Sequence, residues 1–165
     1  MSDALLRFAD ELGTSSPADV AAPVPELHLV TFTLDREAYG VPVHRVREVI
    51  RVGEITRVPQ APEHVRGVTN LRGRILPVVE LRTRLGLAPA LLTPKSRVVV
   101  TEAHGRILGL LVDAVLQVTR IPADTVQPPP EDILTAQADW LAGVARGPDR
   151  LLILLELDAV LLLQR

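Results

Sequence analysis

The stretch Val65-Arg66-Gly67-Val68-Thr69-Asn70-Leu71-Arg72-Gly73-Arg74-Ile75-Leu76-Pro77-Val78-Val79-Glu80-Leu81 reads as a hairpin. Val65 to Leu71 and Arg74 to Leu81 are apolar-rich runs on either side of an Arg72-Gly73 turn. Asn70 and Gly73 are residue types that tolerate left-handed backbone at such a tip. The same plan returns 76 positions later, where Gly143-Val144, Arg150, Glu156-Leu157 and Leu161 stand for Gly67-Val68, Arg74, Glu80-Leu81 and Leu85. Further upstream the displacement is 69, which places Gly40, Val43, Val46, Val49 and Pro59 on Gly109, Val112, Val115, Val118 and Pro128. What the copies share is mostly apolar or glycine, as a repeated packing plan requires. Asn70-Leu71-Arg72-Gly73 has no counterpart, because the second copy reads Arg146-Gly147-Pro148-Asp149. Shared residues build, and unshared polar residues are the candidates for function.

Outward from this hairpin the pattern stays that of short strands. Leu27 to Leu34 and Ala38 to Val41 alternate around a turn at Asp35-Arg36-Glu37. Val43 and Val46 fit one helical turn, and Val49 to Val52 and Ile55 to Val58 read as short strands before a Pro59/Pro62 loop. Leu81 to Leu87 predicts a short helix. The second half predicts strands at Arg97 to Ala103, Ile107 to Val112, Leu116 to Ile121, Leu141 to Arg146 and Arg150 to Leu157, a turn at Asp113-Ala114 and a terminal helix from Asp158. Many short strands punctuated by glycine and proline indicate a mainly β fold of two small barrels with short helices, since closure removes exposed sheet edges. The expected domains are an N-terminal extension over 1–25 and one unit over 26–165, with the first barrel at about 29–87 and the second at about 97–157. Neither barrel is large enough to bury a core comfortably alone, so their apolar faces should pack together and leave a groove.

Composition narrows the function. The chain has 165 residues, 47% of them hydrophobic, and no cysteine. That excludes disulfides, thiolate catalysis and cysteine-ligated metal. The acidic start, Met1-Ser2-Asp3, and the lack of a long apolar span point to a cytoplasmic protein without membrane insertion. Residues 26–86 carry ten arginines against seven acids, while the net charge of the whole chain is −2. This surplus is small, and Phe8, Phe32, Tyr39 and Trp140 offer no row of rings for bases, so nucleic acid is not an expected partner. Asp3 to Leu12 predicts a short helix with Leu5, Phe8, Ala9 and Leu12 on one face, followed by a Ser/Pro/Ala-rich linker. It is either a frayed tail or a docking peptide.

The search for chemistry is negative. His28, His44, His64 and His104 lie in no metal-ligand spacing, and no cofactor is expected. No phosphate loop surrounds Lys95, because Thr93-Pro94 precede it. Glu80 and Glu156 occupy equivalent positions, which favours a shared structural job such as capping a helix or pairing with arginine. Asp113 and Asp158 read as helix caps. An enzyme built on Glu80 or Glu156 would lack a nucleophile and a metal. Glu48 and Arg72 remain, aligned with Gln117 and Pro148, so only the first half keeps an acid–arginine pair. Arginine's planar fork holds a carboxylate at two points, which suits a partner surface or a strut equally.

The segments Val30-Thr31-Phe32-Thr33-Leu34, Tyr39-Gly40-Val41, Val46-Arg47-Glu48-Val49-Ile50 and Gly67 to Leu81, with Gly109 to Asp113 and Gly143-Val144, closely resemble the CheW family of chemotaxis adaptors. The resemblance covers roughly residues 26 to 163 and implies two SH3-like five-stranded barrels. It also implies a non-catalytic protein coupling the cytoplasmic tip of a chemoreceptor to a CheA-type histidine kinase, in rings with the kinase's CheW-like regulatory domain. Such a protein would be cytoplasmic, associated with membrane-bound or soluble receptor arrays. Carried over by position, the receptor groove comprises Val43, Val46, Glu48, Val49, Gly67, Asn70, Arg72, Val115 and Val118. The kinase-facing edge comprises Ile55, Arg57 and Val58. His44 and the N-terminal extension depart from the family pattern. A rival reading makes the groove a sensory site for a small anion held by Arg72.

Overall fold

The structure, a computed structural model, describes residues 24–129 and 138–161. The strands are β1 (Glu26–Leu34), β2 (Glu37–Pro42), β3 (Val46–Arg51), β4 (Val65–Leu71), β5 (Arg74–Glu80), β6 (Arg97–Ala103), β7 (Arg106–Val112), β8 (Ala114–Pro122), β9 (Leu141–Arg146) and β10 (Leu151–Leu155). One-turn helices at Leu81–Arg84 and Leu157–Val160 follow β5 and β10. The predicted hairpins form with their predicted partners. Asn70 pairs with Ile75 and Leu71 with Arg74 in one, and Leu34 pairs with Glu37 in the other.

The strands assemble into two five-stranded sheets, ordered β8-β1-β2-β10-β9 and β3-β6-β7-β5-β4. In each, among the described residues, one extra bridge brings the two end strands round toward one another. Thr56 exchanges two 2.8 Å backbone bonds with Val68, and Gln127 does the same with Val144 at 2.9 and 2.8 Å. These bridges satisfy backbone groups that an open sheet would leave exposed.

The division into barrels at 29–87 and 97–157 does not hold. The β1–β2 hairpin joins three strands of the second half, and the β6–β7 hairpin joins three of the first. The chain crosses between sheets through the 3₁₀ turn Val43–Arg45 and again at Asp113. Repeated sequence specifies which positions pair, and it leaves open which copy supplies the partner. Gly40 lies beside Leu154 and Gly109 beside Val78, and the two arrangements are equivalent under the repeat. Smaller departures follow from pairing as well. Ile55 to Val58 contributes only the Thr56 bridge, and β8 starts at Ala114, where a turn was expected. The N-terminal helix reading lies outside the described residues.

Burial follows the strand period of two. Leu27, Leu29, Leu152 and Leu154 fill the interior of the first sheet, and Leu76, Val78, Val98, Val100 and Leu111 that of the second. The alternate positions, including Phe32, Tyr39, Leu110, Val99 and Leu155, meet in a shared cluster between the two barrels. Phe32 and Tyr39 stack there with ring centroids 6.0 Å apart. The interiors are tight: a Cβ on Gly109 would approach Val98 Cγ1 to 2.5 Å. The shared glycine is therefore a packing requirement.

Candidate functional site

The site starts from an irregularity in β3. Val46 faces Thr101 and Glu48 faces Val100, so the register slips by one residue at Arg47. A bulge of this kind redirects every side chain after it. Glu48 accordingly shares a face with Val100, which belongs to the barrel interior, while Val49 shares one with Val99, which belongs to the cluster between barrels.

Glu48 meets Arg72 at the mouth of the barrel. The guanidinium donates from Nη1 to Oε1 at 3.1 Å and from Nη2 to Oε2. The Glu48 hydrogen bond, followed by its charge, raises the Arg72 pKa further above its ordinary value. Arg72 stays 71% exposed. Its backbone is left-handed, with φ 49°, and Gly73 follows at φ 84°. Both central residues of a type I′ hairpin turn need positive φ. Asn70 fixes the turn by accepting from the Gly73 amide through Oδ1 at 2.8 Å. Beside this pair lies an open cavity of about 290 Å³, with Arg47 and Arg74 on its rim and Leu71, Ile75, Leu76 and Ile107 among its lining residues.

The apolar members of the predicted groove lie on the other face of β3. Val43, Val46 and Val115 are partly buried against the cluster between barrels. Val49 is 39% exposed and Val118 59%. Val118 faces Val30, itself in that cluster, so Val49 and Val118 are repeat-equivalent positions on the end strands of the two sheets, each turned toward the other sheet. The predicted groove residues therefore divide into a charged barrel mouth and an apolar rim. Gly67 belongs to neither. A Cβ there would stand 2.3 Å from the Thr56 carbonyl oxygen and 2.9 Å from Ile55 Cγ2, so its role is to let the Thr56 bridge close.

Ile55, Arg57 and Val58 flank that bridge. Ile55 packs on the barrel interior, and Arg57 and Val58 are exposed. Arg57 lines a cleft of about 520 Å³ with His64, Arg66 and Glu80. Glu80 is buried, pairs with Arg66 at 2.8 Å and accepts from the Ala90 amide at 2.7 Å. Of the two structural jobs expected of Glu80, pairing with arginine is the one it performs, because its side chain makes no capping bond to the helix.

Asp113 and Asp158 are likewise ion-pair partners. Arg82 bonds Asp113 at 2.8 Å, Asp35 at 2.6 Å and the Ala88 carbonyl at 2.7 Å. Burial works against the Arg82 charge, but hydrogen bonds and charge from Asp35 and Asp113 outweigh it and raise the pKa. Arg45 bonds Asp158 at 2.5 Å and the Glu102 carbonyl at 2.9 Å. Positions 82 and 158 are equivalent in the repeat and carry opposite charges, and each ties its helix to a crossover turn, Arg82 through Asp113 and Asp158 through Arg45. Opposite charges at equivalent positions were the signal that could have found these ties.

Among the described residues no group of three His, Cys, Asp or Glu could hold a metal ion, and no helix is long and apolar enough to cross a membrane. Arg72, on which the small-anion reading depends, already has its fork on Glu48. The arrangement suits recognition between macromolecules.

Comparison with known proteins agrees. The chain is 30% identical to the chemotaxis protein CheW of Klebsiella aerogenes over 149 residues, covering 90% of each chain. It is 35% identical over 123 residues to protein FrzA of Myxococcus xanthus, covering 74% of this chain and 76% of that one. The crystal structure of the scaffolding protein TtCheW from Thermoanaerobacter tengcongensis superposes with a TM-score of 0.76 at 33% identity, covering 84% of this chain and 94% of the other. The family model for the CheW-like domain matches residues 28–164, and with two interlocked SH3-like barrels beneath that match, the chain belongs to the CheW family of chemotaxis scaffold proteins.

Proposed function

We infer that this protein is a non-catalytic adaptor that couples the cytoplasmic tip of a chemoreceptor, a methyl-accepting chemotaxis protein, to a CheA-type histidine kinase within cytoplasmic receptor arrays. The observation that carries the reading is Arg72. A non-glycine residue in left-handed backbone costs roughly 1–2 kcal/mol, and this one stands exposed at a hairpin tip with its guanidinium held by Glu48. A receptor helical hairpin would lay apolar residues along the Val49 and Val118 rim and place polar groups at Glu48 and Arg72. The kinase's CheW-like regulatory domain would meet Arg57 and Val58, which project from the anchored Ile55. Phosphate chemistry then belongs to the kinase alone.

Calorimetric titration of the purified protein with a receptor cytoplasmic hairpin, and separately with the kinase's CheW-like domain, tests this. Saturable binding to both, with each still bound when the other is saturating, is expected. Failure to bind either one removes the coupling role.

A further inference from the structure

The mouth beside Glu48 and Arg72 has a composition that the receptor reading does not fully use. Ile75 is 78% exposed there, and Ile107 is also exposed, close to the apolar Leu71 and Leu76. Three arginines, Arg47, Arg72 and Arg74, stand around it against two acids, Glu48 in its lining and Glu102 beside Arg47, which leaves Arg74 in excess. Arg47 and Arg72 are paired with Glu102 and Glu48, yet all three guanidinium groups are at the surface. The surface that complements this is acidic with apolar anchors.

The chain carries such a segment itself. Residues 1–23 contain Asp3, Asp10, Glu11 and Asp19 against Arg7, and Leu5, Phe8 and Leu12 fall at helical spacing. Described structure begins at the exposed Val24, and Pro25 is tied to the Ala123 amide at 2.8 Å. The stretch from Leu12 to Val24 reaches about 40 Å when extended, comparable with the roughly 37 Å width of a domain this size. A linker of this length keeps its end at a local concentration in the millimolar range. Weak complementarity is then sufficient for docking.

We propose that the N-terminal segment folds back onto the arginine-rimmed mouth formed by Leu71, Ile75 and Ile107, as a tethered acidic ligand that competes with the partner bound there. The docking stands on charge, apolar match and reach, and the competition rests on the receptor reading. Because the chain contains no cysteine, Ser2→Cys in the 165-residue chain carries a nitroxide label at one known place. The methyl signals of Ile75 and Ile107 should lose about half or more of their intensity, and recover in Phe8→Asp and in Arg74→Glu. In Phe8→Asp the apparent affinity for the receptor hairpin should tighten about three- to tenfold. Broadening centred on Leu91 or Leu151, or none at all, would overturn the docking. Broadening seen only between a labelled and a separate unlabelled molecule overturns the tether in favour of a second copy. Clear docking with unchanged receptor affinity keeps the intramolecular site and removes the receptor from this mouth.

Discussion

Glu48 and Arg72 hold each other across the two ends of one sheet: Glu48 lies on β3, Arg72 at the tip of the β4–β5 hairpin, and β3 and β4 are the outermost strands. The equivalent positions of the other sheet carry Gln117 and Pro148, so only one barrel has this link. Thr56 and Val68 bridge the same two ends through the backbone. The ion pair is therefore dispensable for closure. Arg72→Ala should leave the unfolding free energy almost unchanged, as for other exposed pairs, while receptor affinity falls. Denaturant unfolding and calorimetry on one sample check both. A collapse of the fold would make Arg72 a strut.

Gly67→Ala should do the opposite. An added Cβ meets the Thr56 carbonyl oxygen at 2.3 Å and the Ile55 Cγ2 at 2.9 Å, and the first of these is backbone that cannot turn aside. Opening the bridge should cost on the order of 2–4 kcal/mol, read as a lower denaturant midpoint with faster exchange at the Thr56 and Val68 amides. A midpoint equal to that of the parent would show that the strand yields more easily than the geometry implies.

Val58→Glu should separate the two partners. Val58 is exposed beside Arg57, next to the anchored Ile55, and charging the centre of an interface typically costs about 2 kcal/mol or more. Kinase binding should weaken roughly 30-fold or more, with receptor binding nearly unchanged. Equal loss of both would mean that one surface serves both partners.

Tyr39 gives a pH prediction. It is the only tyrosine, and burial, followed by the charges of Glu37 and Asp35, raises its pKa above the ordinary 10.0. The unfolded chain therefore releases this proton first. The contribution to stability is complete below pH 10 and is lost as pH rises through the folded value. Ultraviolet titration should show phenolate appearing later in native than in denatured protein, and Tyr39→Phe should flatten the alkaline fall in stability.

Most strands were legible because each half alternates apolar and polar residues around Gly- and Pro-containing turns. Arg72-Gly73 marked its hairpin in the sequence, and the loss of both Glu48 and Arg72 from the second copy marked their pairing. The exchange of hairpins was hidden, since Leu154 and Val78 are interchangeable under the repeat and either satisfies the neighbouring glycine. The split of the predicted groove into a charged mouth and an apolar rim was hidden too. It turns on one extra residue at Arg47, and nothing in Val46-Arg47-Glu48-Val49 distinguishes a bulged strand from a regular one. Asp113 and Asp158 look like caps in a local reading because their arginine partners are 31 and 113 residues away.

The exchanged hairpins also decide what counts as an independent piece of this molecule. β1 pairs with β8 over registers such as Leu29 with Thr119, so its sheet waits for most of the chain to be made before it has a neighbour on that side. Pairings this remote make folding slow, on the millisecond-to-second scale. Cutting the backbone in the loop after Ala90 should yield two fragments, each insoluble or molten alone, that regain one native structure only when mixed. At high concentration, the same interlock offers a route by which two partly unfolded chains trade hairpins and emerge as an entangled pair.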